Sequence, residues 1–219
     1  RKKDENMVAM MIVSVIAYLL GSISFSVIIS KKMAGFDVRE KGSGNAGTTN
    51  VLRTVGKKAS IITLICDILK GVVAVLIAYI TGLITKEGAD TLVQLAAIFV
   101  VLGHTFPIFF SFKGGKGVAT ALGVLLMINW HIGLICLIFA LVLMILTKMV
   151  SLGSVGAAIL YPILVLCMPE STGYLVPGSH FNYIVFSIIL AAIVIFNHRS
   201  NIKRLLSGTE NKLDFKKIK

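Results

Sequence analysis

Charge is scarce in this chain. Only 15% of its 219 residues are Asp, Glu, Lys or Arg, against roughly 25% in an average soluble domain. With 56% of residues hydrophobic and a mean hydropathy of +0.90, too little polar surface remains to face water, so lipid must solvate much of the outside. Cysteine is sparse as well. Cys66, Cys136 and Cys167 each lie inside an apolar run with no metal-ligand spacing between them, and they read as small packing residues. No signal-peptide cleavage pattern, internal repeat or low-complexity segment stands out, and the phosphate loop G-x-x-x-x-G-K-[ST] is missing. The shortage of acids leaves a net charge of +12. Such a charge can mark a nucleic-acid binder, but these cations fall in loops between apolar runs, as in a membrane protein facing anionic lipid. No nucleic-acid partner is expected.

What is abundant is apolar sequence, in seven stretches at about 8–29, 60–80, 91–111, 117–129, 131–147, 152–168 and 182–197. In lipid the backbone must satisfy its own hydrogen bonds, so each stretch is expected to be a helix. The fourth is short for a crossing at about 1.5 Å per residue, unless its Gly-rich flank or a thin bilayer helps. Loop charge supports the count. With the N-terminus outside, the inside segments 30–59, 112–117, 148–151 and 198–219 hold 17 of the 22 Lys and Arg. Lys86, Arg1, Lys2 and Lys3 lie outside and Lys70 within a span. The expected fold is an all-α integral membrane protein, a seven-transmembrane-helix bundle with the N-terminus outside and the C-terminus cytoplasmic. It forms one domain over 1–219, with the polar stretch Arg1 to Asn6 set aside as an appended segment.

The inside loops carry the chemistry. The first reads K-G-S-G-N-A-G-T-T-N-V-L-R, Lys41 to Arg53. Gly42, Gly44 and Gly47 let backbone N–H groups converge on an anion. Ser43, Thr48 and Thr49 add hydroxyls, Asn45 and Asn50 add amides, and Arg53 can grip a phosphate with two parallel bonds. The second reads G-H-T-F-P-I-F-F-S-F-K-G-G-K-G-V-A-T, Gly103 to Thr120. Its Lys113, Gly114, Gly115, Lys116 and Gly117 precede a helix start, which suits phosphate. His104 reads as a backbone-bonded residue before Pro107. The sixth stretch opens with Ser151, an expected N-cap, and Ser154 one turn on. The last segment reads N-H-R-S-N-I-K-R-L-L, Asn197 to Leu206. If its helix continues, His198 and Asn201 share a face; Lys203 and Arg204 follow. Asp67 and Lys70, at i and i+3 inside a span, are expected to pair. Together the loops describe a wet, cationic site at the inner membrane surface with few bases and no cluster of carboxylates, which argues against a metal. An anion transporter would line its path with intramembrane charge, and only Asp67 and Lys70 qualify.

These three loops, with seven spans around them, resemble the bacterial acyl-phosphate:glycerol-3-phosphate acyltransferases over most of the chain. The resemblance implies acyl transfer from acyl phosphate to the sn-1 hydroxyl of glycerol 3-phosphate, giving lysophosphatidate and phosphate. It implies a multi-pass protein of the bacterial cell membrane with its active site on the cytoplasmic face, membrane lipid around it, and no cofactor or metal. It further implies catalytic roles for His198, Asn201, Ser43 and Arg53. Arg53, Lys116, Ser154, His198 and Asn201 would grip glycerol 3-phosphate, while Ser43 and the glycines of the first two loops would seat the acyl phosphate. Asn45, Thr48, Thr49, Asn50, Lys113, Ser151 and Lys203 would complete the binding set. Two other patterns fail. The H-x-x-x-x-D of acyltransferases using acyl-CoA or acyl carrier protein is absent, because Phe109 follows His104 and Lys203 follows His198 at the fifth place. The paired D-x-x-x-D of metal-dependent alcohol phosphotransferases is missing too.

Overall fold

A computed structural model describes residues 2–86, 88–168 and 173–213, without the side chains of residues 2–5. Arg1, Lys216, Lys217 and Lys219 of the charge count, and positions 169–172 of the Pro169 to Phe181 loop, lie outside the described residues. The chain is helical throughout its regular structure: α1 (Lys2–Gly21), α2 (Phe25–Ala34), α3 (Thr48–Thr54), α4 (Lys57–Thr85), α5 (Ala89–Thr105), α6 (Val118–Ile128), α7 (Trp130–Thr147), α8 (Val150–Cys167), α9 (His180–Asn197) and α10 (Arg199–Leu206). Among the described residues six segments are long and apolar enough to cross a membrane: Asn6–Ala34, Lys57–Thr85, Ala89–Phe110, Trp130–Thr147, Val150–Cys167 and His180–Asn197. α6, at 11 residues, spans only about 17 Å by its rise.

Close backbone contacts at glycines join several of the helices. A methyl group on Gly71 of α4 would lie 2.3 Å from the Thr120 carbonyl oxygen, and one on Gly123 of α6 would lie 2.1 Å from that of Ile68. The same reciprocal contact joins α1 and α5, where Gly21 faces the Val100 carbonyl and Gly103 the Tyr18 carbonyl. Small residues at a crossing let helices approach where lipid supplies no hydrophobic drive. The outward faces carry large apolar side chains instead, such as Ile65, Leu69 and Leu83 of α4 and Ile138, Ile145 and Leu146 of α7.

Two features differ from the sequence expectation. The first apolar stretch is not one helix. It breaks at positions 22–24 and resumes as α2. The break leaves carbonyls without helical partners, and Lys70 of α4 donates to those of Gly21 and Ile23, both at 2.9 Å. The second is the loop after α8; α6 itself is short, as its stretch at about 117–129 led one to expect. Its far end is capped by residues 173–176, where the Leu175 N–H donates to the Ile128 carbonyl at 2.8 Å. Tyr183 donates to the Val176 carbonyl at 2.7 Å and stacks on Tyr174. A folded-back loop thus fills the space that a longer helix would occupy.

Candidate active site

The three motif-bearing loops meet at one end of the bundle, around a cavity of about 380 Å³. Asn50, buried in α3, organises the first loop. Its amide donates to the carbonyls of Val38, Lys41 and Asn45 at 2.8, 3.0 and 3.1 Å, and its Oδ1 accepts from the Ser43 N–H at 2.9 Å. Gly42 is required over it. Its φ is +62°, and a methyl group there would lie 2.2 Å from Asn50 Oδ1.

Two contacts tie this loop to the second. Arg39 is clamped on Asp37 at 2.8 and 3.0 Å and donates to the Phe110 carbonyl at 2.7 Å. The Arg39 hydrogen bond holds the Asp37 carboxyl down at about 2. The Ala46 N–H reaches the Gly114 carbonyl at 3.4 Å.

Lys116 is the pivot of the second loop. Its ammonium donates to Asn201 Oδ1. Asn201 Nδ2 donates to Glu210 Oε1 at 2.9 Å, and Arg204 Nε meets Glu210 Oε2 at 3.0 Å. Asn197 holds the loop from behind, donating to Thr105 Oγ1 at 3.1 Å and to the Lys116 carbonyl at 3.4 Å. Burial pushes the Lys116 ammonium down to about 8; Glu210 opposes the shift while Arg204 and Arg53 add to it. A lysine so placed changes charge close to physiological pH.

His198 sits where α9 ends and α10 begins. The helix does not run straight through, yet His198 and Asn201 are both buried and both face the cavity. His198 Nδ1 lies 2.7 Å from the Val194 carbonyl. A carbonyl only accepts, so Nδ1 carries the proton. Burial, aided by the Lys116 charge, pushes the ring down to about 4, so it is neutral at pH 7. Nε2 is then an unprotonated acceptor.

Of the residues expected at the site, Ser43, Asn45, Gly47, Thr48, Thr49, Asn50, Arg53, Lys116, Gly117, Ser151, Ser154, His198 and Asn201 line the cavity. Gly42, Gly44, Lys113, Gly114, Gly115 and Lys203 are outside its wall. The N–H groups of Gly114 and Gly115 are taken by the Thr105 and His104 carbonyls, both at 3.1 Å. These two glycines serve close packing instead, since a methyl on Gly115 would lie 2.1 Å from His104 Nε2. Lys203 points to solvent, and Arg204, one residue on, faces the cavity. Ser151 is not the N-cap of α8, a place held by Met149. Its buried Oγ has no partner within the protein, which leaves it free for a ligand. His104 faces Asp67, not backbone: Nδ1 is 3.5 Å from Asp67 Oδ1, and Lys70 Nζ is 3.0 Å from the same oxygen.

Sequence reading missed Glu210. One acid within a basic tail is a weak signal, but the tail folds back, with the Leu213 N–H on the Lys148 carbonyl at 2.7 Å.

Below this polar rim the cavity turns apolar. It runs between α6, α7, α8 and α9, past Leu122, Ala140, Ala157 and Val194, to Leu125, Cys136, Tyr161 and Leu190. A polar mouth above an apolar arm is the shape of an amphiphile.

Comparison with known proteins agrees. A family model described as glycerol-3-phosphate acyltransferase matches residues 11–208. The chain belongs to the glycerol-3-phosphate acyltransferase family. It is 48% identical to the glycerol-3-phosphate acyltransferase of Clostridioides difficile over 208 residues, covering 94% of this chain and 96% of that one. The Thermoanaerobacter sp. relative is 44% identical, with 91% and 93% covered. Among solved structures, PlsY (YgiH), an integral membrane glycerol 3-phosphate acyltransferase, matches in its glycerol 3-phosphate form with a TM-score of 0.80, 37% identity and coverage of 94% and 96%. Its lysophosphatidic acid form matches at 0.79 and 34%, with 95% and 97% covered.

The protein is therefore a multi-pass membrane acyltransferase. Among the described residues of this acyltransferase, no three His, Cys, Asp or Glu side chains gather to hold a metal ion. Positive charge at its rim comes from Arg53, Lys116 and Arg204.

Proposed function

We propose that this acyltransferase moves a fatty acyl group from acyl phosphate to the sn-1 hydroxyl of glycerol 3-phosphate, releasing 1-acyl-glycerol 3-phosphate and phosphate. The observation that carries the proposal is the cavity itself, a cationic rim continuous with an apolar arm. Both substrates are phosphates, and one carries a hydrocarbon tail. The tail lies in the arm while the phosphates meet Arg53 and Lys116. The relatives crystallised in glycerol 3-phosphate and lysophosphatidic acid forms support the acceptor and the product.

An acyl phosphate is already activated, so orientation and charge stabilisation suffice without a covalent enzyme intermediate. The sn-1 hydroxyl donates to His198 Nε2 and attacks the acyl carbonyl. The C–O bond to phosphate breaks as the ester bond forms, and the hydroxyl proton ends on the departing phosphate. Lys116 and Arg53 stabilise the phosphate charge, and Asn201 keeps the Lys116 ammonium in place. Ser43 and Ser151 supply hydroxyl donors at the rim.

The reaction sits on the cytoplasmic face of a bacterial cell membrane, with the N-terminus outside and seven crossings, α6 being the short one. The alternation of helix ends supports the count: α1, α5, α7 and α9 arrive at the rim, while α4, α6 and α8 leave it. The test is an assay with purified protein, acyl phosphate and glycerol 3-phosphate, with acyl-CoA as control. Phosphate and lysophosphatidate should appear in equal amounts from acyl phosphate alone. No phosphate release with acyl phosphate would refute the reading.

A further inference from the structure

The apolar arm ends abruptly, and the end is built the same way on four helices. The deepest lining residues are Leu125 on α6, Cys136 on α7, Tyr161 on α8 and Leu190 on α9. About one turn further on, each helix places a sealed residue: Ile128 at 1% exposure, Ile132 at 0%, Val165 at 0% and Phe186 at 2%. Tyr161 packs edge-on against Phe186, ring centroids 6.4 Å apart, and closes the bottom. The rim residue is Gly117 on α6, Met144 on α7, Ser151 on α8 and His198 on α9. Eight to ten residues separate rim from floor on each helix, a depth of about 12–15 Å by helical rise. Half a bilayer's hydrocarbon core is about 15 Å thick, the length that a membrane lipid's acyl chain fills.

We propose that the floor formed by Tyr161, Cys136, Leu125 and Leu190 measures the acyl chain, so that these residues set which chain length the enzyme transfers. The proposal rests on the assigned reaction and concerns its donor. A chain that reaches the floor buries every methylene. A longer one runs into the close-packed layer of Ile128, Ile132, Val165 and Phe186 beneath the floor. Tyr161 contributes most, being the largest of the four and the one backed by another ring. Pro162 beside it removes the N–H that would bond the Ala158 carbonyl, so α8 is locally freed from its own ladder where the chain ends.

The test compares kcat/KM for acyl phosphates from ten to twenty carbons in lipid nanodiscs, using wild type and three variants. Ala158→Phe fills the arm one turn above the floor, and Cys136→Phe fills it from the facing helix. Each should lower the ratio of hexadecanoyl to decanoyl transfer about tenfold or more, the worth of two methylenes denied burial, while decanoyl transfer persists. Tyr161→Ala deepens the arm and should shift the optimum to longer chains. A uniform loss at every chain length in both filling variants, or an unchanged profile in all three, overturns the measuring floor. Wild type inactive on every acyl phosphate would instead overturn the assigned reaction.

Discussion

Lys116 offers a test in which sign and size both follow from the structure. Burial lowers its ammonium from 10.5 to about 8, so the charge is present below pH 8 and lost as pH rises through it. His198, down at about 4, stays neutral across the working range. The second ionisation of a phosphate monoester falls near about 6, so the acid limb belongs to the substrate. kcat/KM for glycerol 3-phosphate should therefore follow a bell with limbs near about 6 and 8. Above the upper limb each pH unit removes roughly tenfold of the charged lysine. The loss levels off once the whole charged hydrogen bond is gone, at about 1.5–3 kcal/mol or roughly 10–150-fold.

Initial rates of phosphate release in nanodiscs measure this, with donor hydrolysis at each pH subtracted. Lys116→Gln should lose roughly 10–150-fold in kcat/KM at pH 7 and show no limb near 8. Lys116→Arg keeps its charge past pH 10, so whatever activity it retains should be flat on the alkaline side. An alkaline limb near 8 that persists in both variants would refute the assignment of that ionisation to Lys116.

Three further outcomes follow from the geometry. His198→Asn removes the Nε2 acceptor and should lower kcat by about 10²–10⁴ with little change in the KM for glycerol 3-phosphate; near-normal activity, with Arg53→Ala inactive, would show that the proton reaches the phosphate without His198. Asp67→Asn strands the buried Lys70 charge and should destabilise by about 3–5 kcal/mol, read as a lower Tm in detergent; an unchanged Tm would mean that the Gly21 and Ile23 carbonyls alone suffice for Lys70. Gly115→Ala pushes a methyl to 2.1 Å from His104 Nε2 and 2.8 Å from the Ala46 carbonyl oxygen. It should raise the KM for glycerol 3-phosphate tenfold or more by displacing Lys116, and equal affinity would show that the loop absorbs the methyl.

What could be read from the sequence was whatever depends on local pattern. Helical legs follow from apolar length, and six of them cross by that measure. The three loops gather at one end, as their glycines and cations suggested, and their seven-span arrangement stands as part of the proposal. What escaped depends on distant partners. Gly21, Ser22 and Ser24 are only a faint local mark of the break, because the group that satisfies its carbonyls is Lys70, 47 and 49 positions away. Gly114 and Gly115 looked like anion-binding amides, but α5's end takes both N–H groups, a demand visible only once His104 and Thr105 lie alongside. Lys203 and Arg204 differ by a rotation of about 100° on α10, and composition does not say which of two adjacent cations turns inward.

The short α6 connects these particulars. It starts only at Val118, and the residues just before it, 114–117, are drawn into the bundle while Ser111, Phe112 and Lys113 stay exposed. Lys116 is thereby buried enough to lose affinity for its proton, and it meets Asn201 from α10 and the Asn197 side chain from α9. α6 makes few contacts with α8 and α9, and the gap between them is the apolar arm. An α6 that began earlier in the chain would lift Lys116 into water, where its charge would bind phosphate weakly. α6 thus borders both the cationic rim and the tail chamber, and the reciprocal Gly71 and Gly123 contacts that press it onto α4 hold it away from the arm. Gly123→Val tests this. It should cost about 1–3 kcal/mol in stability by overpacking. It should also tilt α6 toward the arm, so that long-chain transfer falls further than short-chain transfer. Equal loss on all chains would separate the packing of α6 from the shape of the arm.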